Sequence, residues 1–307
     1  MNYKLCRLEF PNGVHFGKGN LDSTEFTFHA DTLFSALFQE ALKIGKEKEF
    51  LQDVSGGKIV FTDAFPFIGK CYYVPKPMLA PEITDEKKQG DSREKKMFKN
   101  LKYIPVETVH DFIKGTFPRE HMEDMKYLGK HGMKVSVRIQ GVEEPQPYRV
   151  SSFHFHEGTG LYIIAGYEEE TALHLWEELL NSLQYRGLGG KKSSGYGRFI
   201  CEFCDIPTEM EKQLKKNTGK KMLLSTALPE EEKLDSVLQN ASYILLKRSG
   251  FVDSENYAPQ QMRKRELYVF SAGSCFDAAF KGRVIEERNG GTHPVFRYAK
   301  AFFMGVS

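Results

Sequence analysis

The spacing of apolar and polar positions changes several times along the chain, and each change marks an element. Tyr3 to Phe10 alternates, imperfectly at Leu8 and Phe10, and predicts a first strand. Leu33, Phe34, Leu37, Phe38, Ala41, Leu42 and Ile44 recur at three- and four-residue spacing. That spacing predicts an amphipathic helix, with Asp31 as its N-cap. Lys58 to Phe67 reads as one strand, or two short ones interrupted by Pro66, and Pro75, Pro77 and Pro81 end the regular pattern. Arg149 to His156 alternates and Leu161 to Tyr167 follows the Gly158-Thr-Gly160 turn, which predicts a hairpin. Leu173, Trp176, Leu179, Leu180 and Leu183 mark a second helix over 171–184, and Tyr196 to Phe203 reads as a strand.

Between these patterns the chain changes character. Residues 85–102 hold seven basic residues and four acids with few apolar positions, the signature of a solvated helix or loop. Ile104 to Ile113 is apolar again, and Pro118 to Gly132 is charged. We read about 71–147 as an insertion. Residues 1–204 then give strand, helix, strand, insertion, strands, helix, loop and strand, an α+β order compatible with a β-α-β-β-α-β ferredoxin-like (RRM-like) unit. Pro207 to Lys221 reads as a polar, basic-rich linker, helical or irregular. Strands follow at Met222–Leu228, Tyr243–Lys247, Glu266–Ser271, Gly282–Glu286 and Val295–Phe303, with a helix opening in the acidic Glu230-Glu-Glu-Lys-Leu. A chain of 307 residues exceeds the size at which single cores usually stop growing, so 205–307 is read as a second, smaller domain.

Lys+Arg 43 against Asp+Glu 41 leaves a net charge of only +2, so any surface for a polyanion must be local. One stretch qualifies, Tyr185-Arg-Gly-Leu-Gly-Gly-Lys-Lys-Ser-Ser-Gly-Tyr-Gly-Arg-Phe199. Gly187, Gly189, Gly190, Gly195 and Gly197 permit positive φ and close backbone approach. Successive exposed N–H groups make an anion-binding nest. Arg186, Lys191, Lys192, Arg198 and the hydroxyls of Ser193 and Ser194 would add contacts to a phosphate backbone. The loop leaves a helix and enters a strand, the reverse of nucleotide-binding fingerprints, and G-x-x-x-x-G-K-[ST] is absent. Tyr196 is a candidate for stacking on a base, or equally a core aromatic. An earlier Phe16-Gly17-Lys18-Gly19 would matter if the fold set it beside this loop, with His15 and Lys18 near RNA phosphates. No RRM-type aromatic motif sits on a central strand, so binding through the loop fits better than base stacking on a sheet face.

The loop resembles the glycine-rich loop of the RAMP superfamily of CRISPR proteins, most closely the Csm-four, Cas-five-like family of type III-A (Csm) effector complexes. The likeness extends to Phe28-His-Ala-Asp-Thr-Leu-Phe-Ser-Ala-Leu37, Thr62-Asp-Ala-Phe-Pro-Phe67, Pro75-Lys-Pro77, Ser225-Thr-Ala-Leu-Pro229 and Gly273-Ser-Cys-Phe276. It implies a degenerate ferredoxin-like fold for the second domain and inserted segments that reach toward RNA and neighbouring subunits. It also implies a non-catalytic, cofactor-free subunit that holds the crRNA 5′ handle. Such a subunit joins the large polymerase/cyclase subunit to the backbone RAMP filament in antiviral defence.

Three other readings stay open on the residues. A crRNA-processing endoribonuclease of the same superfamily would use His15 or His29 as a base, although in those enzymes the loop usually lies near the C-terminus. A target-cleaving backbone subunit would use Asp31, which stands without a second carboxylate nearby. A pure protein–protein adaptor would need no loop charge. His154 and His156 share a strand face without further ligands. Cys201 and Cys204 face opposite sides of a strand, and a metal site is not expected from either pair. The five cysteines show no disulfide framework, and no run of about 18 apolar residues occurs. No signal peptide opens the sequence, and a cytoplasmic location is expected. Arg248, Arg263, Lys264, Arg265, Arg283 and Arg297 supply cations to the C-terminal part, some of them candidates for an interdomain groove.

Overall fold

The structure, a computed structural model, describes residues 1–17, 19–81, 92–138, 144–217, 219–252, 254, 257–288 and 290–306. It is a mixed α+β fold. The chain opens with β1 (Asn2–Glu9) and the short β2 (Phe16–Gly17) and β3 (Thr24–Glu25). Helices α1 (Ala30–Lys43) and α2 (Glu47–Gly56) lead to β4 (Ile59–Phe61), β5 (Phe65–Ile68) and β6 (Cys71–Pro75). Next come α3 (Ser92–Asn100), β7 (Tyr103–Pro105), α4 (Val109–Ile113), β8 (Gly129–Arg138), β9 (Gln146–Phe155) and β10 (Thr159–Tyr167). After α5 (Glu170–Arg186) and β11 (Ile200–Cys204), the C-terminal part begins with α6 (Thr208–Lys215), β12 (Lys221–Leu223) and α7 (Leu234–Leu238). It continues through β13 (Leu245–Arg248), β14 (Leu267–Phe270), β15 (Cys275–Phe276), β16 (Gly282–Glu287), β17 (Val295–Lys300) and β18 (Phe303–Gly305).

The main sheet runs β11-β1-β10-β5-β6-β7, with β4 also paired to β10. β1 lies antiparallel between β10 and β11, in register from Asn2↔Tyr167 and Leu5↔Cys204. β10 is buried on both faces, which is why its residues read as an unbroken apolar run. Leu161, Ile163 and Ala165 face Leu33, Leu37, Phe50, Trp176, Leu179 and others from α1, α2 and α5. Tyr162 and Ile164 face the opposite way, into a second cluster with Phe65, Ile104 and Phe112. Met222, Phe302 and Met304, from β12 through β18, belong to that same cluster. Part of the core of the C-terminal segment is therefore the reverse face of the main sheet.

The structure corrects several expectations. β9 and β10 are consecutive but do not form the expected hairpin. β9 pairs instead with β8 over ten residues, from Gly129↔Phe155 to Arg138↔Gln146, while β10 pairs with β1, β4 and β5. Burial decides the partner, since β10 has two apolar faces to cover and β9 has one apolar end. Asp31 is not the N-cap of α1. That helix starts at Ala30, and its first N–H donates to Asp63, 2.9 Å away on the β4–β5 connection. α2 was not expected; it ends in a left-handed Gly57 (φ 82°). The strand after the glycine-rich loop begins at Ile200 rather than Tyr196.

Candidate nucleic-acid interface

The glycine-rich loop is a compact knot with an open tip. Gly187 N donates to Leu183 O at 2.8 Å and ends α5; Leu188, 1 % exposed, then turns its side chain into the core. Leu188 N donates to Gly197 O (2.8 Å), Gly197 N to Gly13 O (2.9 Å) and Gly190 N to His15 O (2.9 Å). A Cβ on Gly197 would lie 1.9 Å from Leu188 O, and one on Gly187 2.8 Å from the Gly197 carbonyl. Gly187 and Gly197 are thus required where the loop's own two limbs cross, and Gly189 and Gly190 where His15 and Phe16 press against it. The N–H groups of Gly187, Gly190, Gly195 and Gly197 are all taken by internal carbonyls, so a nest of free glycine N–H groups does not form at these four positions. Gly195, at φ 89°, has open space around it and closes the single 3₁₀ turn Lys192–Ser194.

The tip carries the chemistry. Ser193, Ser194 and Arg198 are exposed; Lys191, Lys192 and Tyr196 are half-exposed. Lys191 Nζ lies 5.0 Å over the ring of Tyr148, and the Tyr196 ring meets His154 edge-on at 6.2 Å. Tyr148 and His154 belong to β9, so the tip leans on the β8–β9 ribbon. The register places Lys130, Lys134, Ser136 and Arg138 of β8 across from His154, Val150, Tyr148 and Gln146, on that same face. The result is a cationic wall of Lys130, Lys134, Arg138 and Lys191 with aromatic rings between the charges, which suits a single strand's phosphates and bases. The ribbon cations were missed in the sequence. The available signal was the period-two alternation of Lys130, Lys134 and Arg138 with Met133, Val135 and Val137.

Two of the expected site residues have other tasks. Arg186 donates to Glu40 at 3.3 Å; Glu40 is 2 % exposed and also accepts from Lys43 (2.6 Å) and Ser182 (2.7 Å). Burial works against the Glu40 charge, but these donors outweigh it and hold its carboxyl below the usual range. Arg186 and Ser182 together tie α5 to α1. His15 is 4 % exposed, its Nδ1 is 2.7 Å from Ser151 O, and its ring fills the space beneath Gly190. It supports the loop from below rather than facing phosphate. Lys18 lies outside the described residues, although the Phe16 ring is packed against Gly189 of the loop.

Behind the loop a cleft of about 280 Å³ separates one side of α1, from Asp31 to Gln39, and Gly187–Gly189 from Arg248, Ser249, Lys264 and Arg297. Asp31 sits at its edge, gripped by the Arg248 guanidinium through two 2.8 Å bonds. Burial opposes its charge, yet Arg248 prevails and lowers the Asp31 pKa. His29 Nδ1 is 2.7 Å from Asp63 Oδ2, and Thr226 N donates to Asp63 Oδ1 at 2.8 Å. Among the described residues no group of three or more His, Cys, Asp or Glu side chains is placed to hold a metal ion. None of the described helices is long and apolar enough to cross a membrane.

An α+β sheet that threads a glycine-rich, cation-tipped loop between its last helix and edge strand is the architecture of a RAMP-type subunit. A family model for the CRISPR Csm4 C-terminal domain matches residues 216–306. The chain is 38% identical over 315 residues to the Csm4 protein of Streptococcus thermophilus, covering 99% of this chain and 98% of the relative. It is 35% identical over 308 residues to Csm4 of Mycobacterium tuberculosis, with 100% and 98% covered. Among solved structures it superimposes on a chain of a Csm3–Csm4 subcomplex of the type III-A interference complex. That match has a TM-score of 0.68 at 16% identity, over 99% of both chains. A chain of a Csm1–Csm4 cassette in complex with cA4 gives a TM-score of 0.58 at 18% identity, over 99% and 98%. The chain belongs to the Csm4 family of CRISPR proteins.

Proposed function

We propose that this chain is the non-catalytic, crRNA-binding subunit of a type III-A CRISPR ribonucleoprotein. It holds the 5′ handle of the guide and joins the large polymerase/cyclase subunit to the backbone filament, in the cytoplasm. The observation that carries the RNA-binding part is the shared face of the loop tip and the β8–β9 ribbon, where Lys191, Lys130, Lys134 and Arg138 align beside Tyr148. Ser193, Ser194 and Arg198 extend that face. The partner assignment follows from relatives whose solved assemblies pair Csm4 with Csm3 and with Csm1.

Strands β1, β4/β5, β10 and β11 occur in the chain in that order and lie in the sheet as β11-β1-β10-β5, the 4-1-3-2 order of a ferredoxin-like unit. We assign residues 1–204 to that unit, with 71–147 as its insertion, and 205–307 to a degenerate second one. The test is RNA binding by the assembled complex carrying Lys191→Ala, using strands with an intact and a scrambled 5′ handle. Weaker binding of the handle-bearing strand without cleavage is expected. Unchanged binding and assembly would overturn the loop assignment in favour of a protein adaptor.

A further inference from the structure

We propose that a pocket at the seam between the main sheet and the C-terminal strands holds one carboxylate group borne on a small apolar body. It lies apart from the RNA face, since none of its lining residues belongs to the glycine-rich loop or to the β8–β9 ribbon. Its volume is about 220 Å³, below the roughly 300–1,000 Å³ of pockets for drug-sized ligands. That is room for one small acid or one projecting side chain.

Gly56 and Gly57 bring the end of α2 to this seam, and Val60 of β4 faces Phe280, Phe302 and Phe303 of the C-terminal part across it. Val60, Phe280 and Phe302 are buried and Phe303 is half-buried, so the walls are apolar. One charge stands inside them. Lys300, the last residue of β17, is 5 % exposed, and its ammonium donates to Ser55 O at 3.2 Å. That bond caps the last turn of α2, where a cation suits the helix dipole. An ammonium carries three donors, and among the described residues this one makes no other hydrogen bond and no ion pair. One neutral carbonyl does not offset the burial of a full charge. Burial lowers the Lys300 pKa; Glu230, itself 3.6 Å from Lys233, opposes this in part from a distance, and Lys281 adds to it. The other charged groups of the pocket are Lys281 and Glu168, exposed and opposite in sign, which leave the mouth without net charge. The Tyr3 hydroxyl is already turned to Leu214 O at 3.4 Å. The unbalanced charge is therefore a single, buried positive one with two spare N–H groups. A carboxylate matches it in charge and offers two oxygens, whereas a phosphate dianion would bring a second charge with nothing buried to meet it. Apolar walls favour hydrocarbon next to that carboxylate. A free small acid or an acidic side chain of a neighbouring chain in the assembly would supply the same group.

Benzoate, its uncharged analogue benzamide and inorganic phosphate are the probes, added to the full chain as wild type, Lys300→Met and Lys281→Ala. Benzoate at about ten times its dissociation constant is expected to raise the wild-type thermal midpoint by about 2 °C. Benzamide and phosphate are expected to leave it unchanged. Lys300→Met keeps the length of the side chain and removes its charge; calorimetric titration should show benzoate binding weakened about 10-fold or more. Lys281→Ala, at the mouth, should weaken it by less than about 3-fold. A readout that needs no variant is the ¹⁵Nζ resonance of Lys300 in wild type, which should move with benzoate and stay still with benzamide. Titration of the assembled complex separates the two sources. Benzoate binding retained there assigns a free small acid. Binding lost there, with the Lys300→Met complex dissociating more readily, assigns a carboxylate of a neighbouring chain. Equal effects of benzoate and benzamide would overturn the carboxylate site and leave an apolar cavity. Benzoate binding that Lys300→Met does not weaken, or a Lys300 resonance that no probe moves, would overturn the pocket outright.

Discussion

Asp63 receives hydrogen bonds from two separated parts of the chain: the imidazole of His29 and the N–H of Ala30 at the start of α1, and the N–H of Thr226. Asp63→Ala would leave at least two buried N–H groups unpaired, and we expect a loss of about 3–5 kcal/mol in urea unfolding. Asp31 behaves differently because its partner is a cation at the cleft edge. Its folded pKa is depressed, so its contribution is full above the unfolded carboxyl value of about 4 and is lost as pH falls through the lower folded value. Acid titration of Asp31→Asn should therefore lose less stability below pH about 4 than wild type does. At the loop, Gly197→Ala places a Cβ against Leu188 O at positive φ and should cost about 3 kcal/mol or more, whereas Gly195→Ala meets open space and should cost about 1 kcal/mol. Thermal melts of the two variants distinguish packing from backbone conformation. The glycines were legible in the sequence as a group, but their separate tasks were not. The composition of the loop cannot show that Gly13–Phe16 crosses beneath it. For the same reason His15 read as a candidate phosphate contact when it is a buried prop.

The helices α1 and α5 were legible because each buries one stripe against the sheet, and that stripe has a helical period. The β8–β9 ribbon was not. Its base is buried through Phe153 and Phe155 while its outer part leaves Met133, Val135 and Val137 more than half exposed, at 58%, 63% and 51%. Alternation along β8 consequently separates charge from apolar side chains without separating water from core, and within a charged segment it reads as noise. The same element carries three of the wall cations. The triple change Lys130→Ala, Lys134→Ala, Arg138→Ala should leave stability within about 0.5 kcal/mol of wild type, since these side chains lie on the solvated face. It should reduce the salt slope of RNA binding by about 2, three single-strand contacts at about 0.7 each, read by titration at several salt concentrations.

At the scale of the molecule, the C-terminal part is stitched to the main sheet and does not hang from it. Tyr298 stacks on Phe61 at 4.5 Å, donates to Phe61 O at 3.0 Å and accepts from Phe61 N at 2.9 Å. Phe296 of the same strand packs on Phe38 of α1. Tyr298→Phe leaves both backbone groups of Phe61 without that partner and should cost about 2 kcal/mol, measured by denaturant unfolding. Calorimetry should show one transition with equal calorimetric and van't Hoff enthalpies, in spite of the chain's length. Both pairs of partners are far apart along the chain, 163 residues for Asp63 and Thr226 and 237 for Phe61 and Tyr298. At about 5–20 residues per second, a ribosome that has made Asp63 needs roughly ten to thirty seconds more to reach Thr226. From the completion of β10 until the final strands emerge, the reverse face of the nascent sheet lacks the part of its cover that Met222, Phe302 and Met304 supply, so the protein's demand for chaperones should peak past the middle of its own synthesis and fall only as those strands arrive.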